Sequence, residues 1–408
     1  MTALAKGSAG YRRLTLAMLF AGFSTFSLLY AAQPLLPVFA TDFGLSAEGA
    51  SLAIGLATGP LAIGILFAGA LSDRWGRRPM MVAAMFVAGL LGLATAVAPN
   101  WPMLLAIRFA TGVALAGVPA VAMAYVSEEV DHASVGSAMG LYIAGSAIGG
   151  MVGRLGVSLL TDLAGWRWAM AAVGLASLVM AEAFRRLAPE SRGFVASAPS
   201  PAHVARGMIA LFRDRAMLLL FAEAFLLMGV FVSIYNYAGF RLMGAPYGLG
   251  HAAVGAIFLL YVLGSVSSAW FGGLAGTMGR RKIFWVPVVL LIAGVALTAA
   301  RPLAVVIAGI GIVTIGFFGA HSIASAWVGR RASSRRGQAA AVYLFFYYGG
   351  SSVLGSLGGM AWTRSGWSAV AWYCGVLGVI ALVLGLVLRT IPPLPENEVP
   401  PVKPLGTD

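Results

Sequence analysis

The sequence has little charge. Only 10% of its 408 residues are Asp, Glu, Lys or Arg, whereas 60% are hydrophobic, and the mean hydropathy is +0.89. A soluble domain carries about 25% charged residues, so water would solvate this chain poorly. The shortage of charge excludes an ordinary soluble enzyme and predicts a chain that is surrounded by lipid.

Cysteine and histidine are also scarce. The single cysteine, Cys374, lies inside an apolar run, which excludes a disulfide framework. The four histidines have no metal-ligand spacing, and no glycine-rich phosphate loop precedes a soluble domain. We therefore expect no metal, no cofactor and no enzymatic activity, and an ATP-driven pump is excluded on this chain.

Acidic residues are outnumbered, since 14 Asp and Glu face 27 Lys and Arg. A nucleic-acid-binding protein would gather this excess on a soluble face, but here it occupies short breaks between apolar runs. With both termini cytoplasmic, 21 Lys and Arg fall in cytoplasmic segments, four in outer loops and two within spans. This positive-inside bias predicts an even number of spans in a bacterial inner (cytoplasmic) membrane and no nucleic-acid partner.

Twelve apolar runs approach or exceed the roughly 20 residues that a membrane-spanning helix needs. They lie near 14–40, 48–72, 79–98, 102–126, 136–159, 167–185, 216–240, 252–276, 283–300, 302–327, 338–361 and 367–388. We predict an all-α membrane protein with two six-helix bundles at 1–185 and 216–391, a cytoplasmic linker at 186–215 and a disordered tail at 392–408. Within the linker, 203–215 are expected to form a short interfacial helix.

The two predicted bundles repeat in sequence. One series recurs 201 positions later, namely Gly136, Ala138, Tyr142, Gly149, Gly165 and Trp166. A second recurs 203 positions later, namely Gly69, Leu71, Gly76, Arg77 and Arg78. Two bundles related in this way can rock around a central site, which gives alternating access to the two sides of a membrane.

The segment GALSDRWGRRP from Gly69 to Pro79 resembles the signature loop of the major facilitator superfamily. Span count, loop charges and the repeat resemble that family over essentially the whole chain. The resemblance implies a cytoplasmic gate in which Asp73 meets a helix N-terminus of the other half in the outward-open state, with gate residues Gly69, Asp73, Arg74, Gly76, Arg77 and Arg78. The alternative is a basic topology loop in which Pro79 starts a helix. Gly276 replaces the acid in the second copy, so any gate is asymmetric.

Two further motifs lie in the fourth and fifth spans. Arg108 with Gly112 resembles the family's second motif, whose arginine is linked with proton coupling; the alternatives are hydrogen bonds to backbone carbonyls or contact with an anionic substrate. The run from Gly145 to Arg154 resembles the glycine-rich motif of exporting proton antiporters, with helix-packing positions Gly145, Gly149, Gly150 and Gly153. Two positions depart from it, because Gly150 replaces a proline and Arg154 a glycine. We expect Arg154 to snorkel to the outer surface.

Glu223 is the one acid placed well within a span, about 12 Å from the cytoplasmic end of the seventh. An unpaired carboxylate at that depth is costly to keep ionised, so we predict that Glu223 carries the coupled proton, modulated by His321 at nearly the same depth. The family's fold implies that the two residues meet in a central cavity. The alternatives are structural roles for both side chains.

Polar and aromatic side chains in the first, seventh and eleventh spans are candidate substrate ligands, namely Ser27, Tyr30, Gln33, Asn236, Tyr343 and Tyr347. For tyrosines near span ends, the alternative is the interfacial aromatic belt. The mixture of rings, hydroxyls and amides suits a neutral, polar or amphiphilic solute, and it does not separate a sugar from a drug.

Together these features predict a secondary active transporter of a small organic solute, in which proton-coupled export is favoured. The pattern is most similar to twelve-helix drug/proton antiporters and bacterial sugar-efflux permeases such as arabinose exporters. A proton-coupled uptake permease of the same fold and a solute-sensing receptor without flux are the alternatives. We expect a monomer whose partners are the solute, protons and the lipid bilayer.

Overall fold

The computed structural model describes residues 4–191, 194, 201–332 and 335–392. Within these residues, eleven helices are long and apolar enough to cross a membrane. The last of them, Arg336–Thr390, contains non-helical backbone at Ser365 and Gly366 and therefore comprises two spans. The predicted fold class, an all-α protein with twelve membrane-spanning helices, is confirmed.

The helices are numbered in chain order. The first six are α1 Ala9–Asp42, α2 Ala47–Trp75, α3 Arg77–Ala96, α4 Trp101–Glu129, α5 His132–Ala164 and α6 Trp166–Leu187. The second six are α7 Arg215–Met243, α8 His251–Met278, α9 Arg280–Thr298, α10 Leu303–Arg331, α11 at 336–364 and α12 at 367–390. The face at which α1 begins carries most of the arginines and is called the basic face; the other is the opposite face.

Tight glycine turns join consecutive helices at equivalent places in the two halves. Gly76 lies between α2 and α3 with φ 92°, and Gly279 lies between α8 and α9 with the same φ. Gly165 between α5 and α6 has φ 83°, and Gly366 between α11 and α12 has φ 60°. Side chains other than glycine are strained at such angles. The repeated glycines therefore mark repeated turns.

Several of the spanning helices are interrupted along their length. In α1 a 3-10 turn at Gln33–Leu35 contains Pro34, which lacks the N–H that a continuous helix needs. In α4 the α-helix stops at Leu115 and resumes at Pro119. In α8 a 3-10 turn covers Ala256–Leu260. At the breaks in α1 and α4 the backbone forms shorter-range hydrogen bonds, such as that from the Val118 amide to the Leu115 carbonyl.

Hydrogen bonds between the two halves lie between the middle of the membrane and the opposite face. The Ser352 hydroxyl of α11 donates to the Gly55 carbonyl of α2 over 2.8 Å. A Cβ atom at Gly359 would lie 2.4 Å from Glu48, so the two backbones touch near the opposite face. Gly59 of α2 also packs on Ser352 of α11. One helical turn further towards the basic face, Ile63 is 56% exposed. The contact between α2 and α11 is therefore close on one side of the membrane.

A short helix, Pro201–Leu211, precedes α7 in the predicted linker. It begins two residues before the predicted interfacial helix and ends four residues before its predicted end. Asp214 then caps α7 by accepting a hydrogen bond from the Ala216 amide over 2.9 Å. Parts of the predicted linker and nearly all of the predicted tail lie outside the described residues, so the domain boundaries remain predictions.

Candidate functional site

Arg154 of α5 is buried between the two halves. Its side chain does not snorkel, so that prediction was wrong, because only 3% of the residue is exposed. The Nε atom donates to the Gln33 side-chain oxygen over 2.6 Å, and Nη1 donates to the Gly150 carbonyl. Polar partners from α1 and α5 thus hold the guanidinium inside the protein, where reaching the surface would break both bonds.

Aromatic rings from both halves surround the same guanidinium. Its Cζ atom lies 4.3 Å from the ring centre of Tyr30 in α1. In α8, the ring centres of Phe258 and Tyr261 are 5.2 and 5.0 Å away. Cations are attracted to ring faces at such distances, and more strongly when water is excluded. These residues are called the arginine box: Tyr30, Gln33, Arg154, Phe258 and Tyr261.

The arginine box also connects α1 with α7. The Gln33 amide nitrogen donates to the Asn236 side-chain oxygen over 2.8 Å, and both residues are buried. Gln33 therefore accepts from Arg154 and donates across the boundary between the halves. Among the predicted substrate ligands, Tyr30, Gln33 and Asn236 come together at this place.

The glycine stripe of α5 packs directly on α1. A Cβ atom at Gly145 would lie 2.2 Å from the Leu19 carbonyl oxygen, and one at Gly149 would lie 2.3 Å from that of Phe23. The Ser27 hydroxyl donates to the Gly149 carbonyl over 2.8 Å and is buried. The structure therefore uses Ser27 in helix packing, whereas the sequence placed it among the substrate ligands.

Arg108 of α4 is only 1% exposed and binds backbone carbonyls. Its guanidinium donates to Ala53 and to Leu28 over 2.9 Å each, and also to Leu29. These carbonyls belong to α2 and to the end of the regular α-helix in α1. The geometry matches the hydrogen-bonding alternative, in which Arg108 ties three helices of the first half together.

Glu223 of α7 is fully buried inside the second half. Its carboxylate points towards α12, where a Cβ atom at Gly385 would lie 3.3 Å from Oε1. Neither carboxylate oxygen has a hydrogen-bonding partner among the described residues. Keeping an unpartnered carboxylate ionised inside a protein costs several kcal/mol, whereas the protonated acid avoids most of that cost.

His321 of α10 does not bind Glu223 directly, contrary to the expectation that the two meet. Its Nδ1 atom lies 2.9 Å from the Tyr343 hydroxyl of α11, and its ring stacks on Phe317 at 5.8 Å. The Tyr347 ring is 4.7 Å from the imidazole. Tyr343 and Tyr347 thus hold the imidazole, while Glu223 has no hydrogen-bonding partner among the described residues.

At the basic face, the signature loop is held within the first half. Arg77 pairs with Asp73 at 2.6 Å and with Glu128 of α4 at 2.8 Å. Arg78 donates to the carbonyls of Ala188 and Arg185 at the end of α6. Of the remaining predicted gate residues, Arg74 is exposed and Gly69 faces open space. Asp73 thus pairs with its own half in this conformation.

At the opposite face, Asp162 near the end of α5 caps the start of α8. Its carboxylate accepts from the Ala252 amide over 2.7 Å and from the His251 amide over 3.3 Å. The His251 Nδ1 atom is 2.9 Å from the same carboxylate. This contact joins the two halves, and we call it the outer latch. Sequence reasoning missed it because an aspartate at a span end has many possible partners.

The comparisons with known proteins agree with this architecture. A family model described as Major Facilitator Superfamily matches residues 16–353 and, separately, 239–407. The uncharacterized MFS-type transporter YybF of Bacillus subtilis (strain 168) is 42% identical over 384 residues, which are 94% of each chain. The inner membrane transport protein YnfM of Escherichia coli (strain K12) is 42% identical over 385 residues, 93% of this chain and 91% of that protein.

A solved structure resembles the whole fold. A variant of the nucleoside transporter NupG superposes with a TM-score of 0.74 at 15% identity, covering 92% of this chain and 99% of that one. At this identity, the likeness concerns the arrangement of the helices. Neither relative's name specifies a drug or a sugar.

Proposed function

Because the chain belongs to the major facilitator superfamily and is a secondary transporter, we propose that it exports a small organic solute in exchange for protons by alternating access. Its placement in the inner membrane follows the name of its Escherichia coli relative. The excess of arginine at the basic face supports a cytoplasmic location for that face and for both termini.

The observation that carries alternating access is the location of the contacts between halves. The Ser352–Gly55 and Gln33–Asn236 bonds and the outer latch lie between mid-membrane and the opposite face. At the basic face, the charged loop residues described above pair within the first half. Such a molecule opens towards the cytoplasm, and rigid-body rocking of the halves would open it outwards.

Coupling to protons is assigned to Glu223. A carboxylate that is fully buried and has no partner among the described residues favours binding a proton. This proton is released when a conformational change exposes or pairs the carboxylate. His321, which is proposed to modulate Glu223, binds the Tyr343 hydroxyl of α11 and is partly exposed.

The test is solute-driven proton movement in proteoliposomes with an enclosed pH dye. A transported solute for this assay is first identified by a flux screen of the wild-type protein over sugars, cationic dyes, amphiphilic drugs and organic acids. Glu223→Gln should retain solute exchange between the two sides while losing proton movement. Glu182→Gln is the matched control, because that acid is at the membrane surface and pairs with Arg185 and Arg186. Proton movement that survives in Glu223→Gln would exclude this residue as the coupling site.

Uptake is the second candidate. It is favoured by the two departures from the exporter motif, since Gly150 and Arg154 stand where that motif has proline and glycine. Solute accumulation in cells with and without the gene distinguishes the directions, because an exporter lowers it and an uptake permease raises it.

A further inference from the structure

We propose that the transported solute is an organic anion and that Arg154 binds its carboxylate. This inference rests on the proposed transport function and specifies the chemistry of the central site. It starts from a buried guanidinium that lies between the halves, in the part of the protein through which a solute must pass.

The charge of Arg154 has no counter-charge among the described residues. The guanidinium is held by a neutral amide, by a backbone carbonyl and by aromatic rings. Nearby acids at the opposite face have other partners, since Asp42 accepts from the Trp166 indole over 2.7 Å and Asp162 forms the outer latch. A carboxylate forms shorter and stronger hydrogen bonds with arginine than an amide oxygen does. An anion can therefore displace Gln33 from Arg154.

Two buried hydroxyl groups provide a second observation. The Tyr30 hydroxyl and the Ser351 hydroxyl of α11 interact with each other, and neither has another hydrogen-bonding partner among the described residues. The two residues are 3% and 1% exposed. A hydrogen bond between two neutral hydroxyls is weak, and a carboxylate would accept stronger hydrogen bonds from both of them. Donors from both halves thus surround the arginine box.

The rings around Arg154 indicate what is attached to the carboxylate. Phe258 and Tyr261 bring apolar faces from α8, and Phe231 stacks on Phe317 at 4.0 Å beside them. Such walls bind an aromatic or aliphatic body. The proposed solute class is therefore a monoanion with one carboxylate and an apolar body.

Binding at this position would also act on the contact between halves. Gln33 holds Arg154 with its oxygen and Asn236 with its nitrogen. An anion that takes the place of the Gln33 oxygen frees this side chain and weakens the link between α1 and α7. A ligand shifts a conformational equilibrium by the difference in its affinity for the two states, and this exchange of partners supplies such a difference.

The test is binding to the purified full-length protein in detergent at constant ionic strength, measured by calorimetry. The probes are matched pairs, benzoate with benzamide and octanoate with octanamide. In the wild type, each carboxylate should bind about 10- to 100-fold more tightly than its amide, as expected for a charge-assisted hydrogen bond. Arg154→Gln should abolish the preference, whereas Arg154→Lys should retain part of it. The control Arg364→Gln removes an exposed charge and should leave it intact.

A second variant keeps the test decisive if Arg154→Gln does not fold. Gln33→Glu places a carboxylate on Arg154 within the protein, so the fold should be retained and carboxylate binding should be lost. The proposal is overturned if no probe binds, if carboxylates and amides bind the wild type equally, or if the preference survives in Arg154→Gln or Gln33→Glu. Carboxylate binding without flux would instead contradict the transport function and leave the anion site standing. Flux restricted to neutral or cationic solutes would instead contradict the anion site and leave the transport function standing.

Discussion

Removing the outer latch should shift the protein towards the conformation that is open at the opposite face. Asp162 caps α8 through the backbone amides of His251 and Ala252 and pairs with the imidazole. An N-cap contributes about 0.5–2 kcal/mol, and the partly exposed contact with the imidazole adds at most about 1 kcal/mol. Since these contacts are lost when the halves separate there, Asp162→Ala should stabilise the outward-open state relative to the present one by about 1–2 kcal/mol, or about 5- to 30-fold.

Distances between spin labels at Leu163 and Leu297 measure this shift, because the two exposed positions lie at the opposite face on different halves. The chain suits the experiment, since its only cysteine, Cys374, is buried. Asp162→Asn keeps one accepting oxygen and loses the charge, so it should shift the population by only about two- to fivefold.

The matched control is Asp42→Asn, which removes an acid at the same face that binds Trp166 within the first half. This control should leave the label distances unchanged. An unaltered distance distribution in Asp162→Ala, or an equal change in the control, would refute the role of the latch.

Two further substitutions examine packing and Arg108. Gly149→Ala should lower stability by about 1–3 kcal/mol, because the new methyl group would lie 2.3 Å from the Phe23 carbonyl; thermal unfolding in detergent compares it with Gly156→Ala, where the space is open. Arg108→Gln should lower stability by at least about 2 kcal/mol, since three buried carbonyls lose their donor. The number of protons moved per solute should not change. An altered ratio would favour proton coupling by this arginine.

The fold could be predicted from sequence because its evidence is distributed over the whole chain. Apolar runs, charged breaks and glycines such as Gly76 and Gly279 each constrain the topology locally. In lipid, a long apolar segment must satisfy its own backbone hydrogen bonds, which it does by forming a helix. An error at one position changes a boundary by a few residues, as at the linker helix, and leaves the architecture intact.

The candidate site was harder to predict because it depends on which helix faces which. Arg154 was expected to reach the surface because its position in the sequence places it near the outer end of α5. The sequence does not reveal that Gln33, 121 residues away, lies next to it in the fold. Glu223 is buried, as expected for an acid within a span, but its direction towards α12 follows from helix rotation within the second half. The pairing of Asp162 with His251 joins residues from different halves and has no local sequence signature.

The outer latch predicts that one kind of interaction closes each face in turn. At the opposite face, an aspartate at the end of a first-half helix caps the start of a second-half helix, α8. At the basic face, Asp73 near the end of α2 pairs with Arg77 of its own half in this conformation, and the family resemblance implies that it caps a second-half helix when that face closes. Rocking of the halves cannot keep both ends closed, so capping at one face implies release at the other. We predict that the signature loop and the latch are alternative uses of the same interaction, a carboxylate at a helix N-terminus, and that the relative strength of the two caps sets the resting conformation.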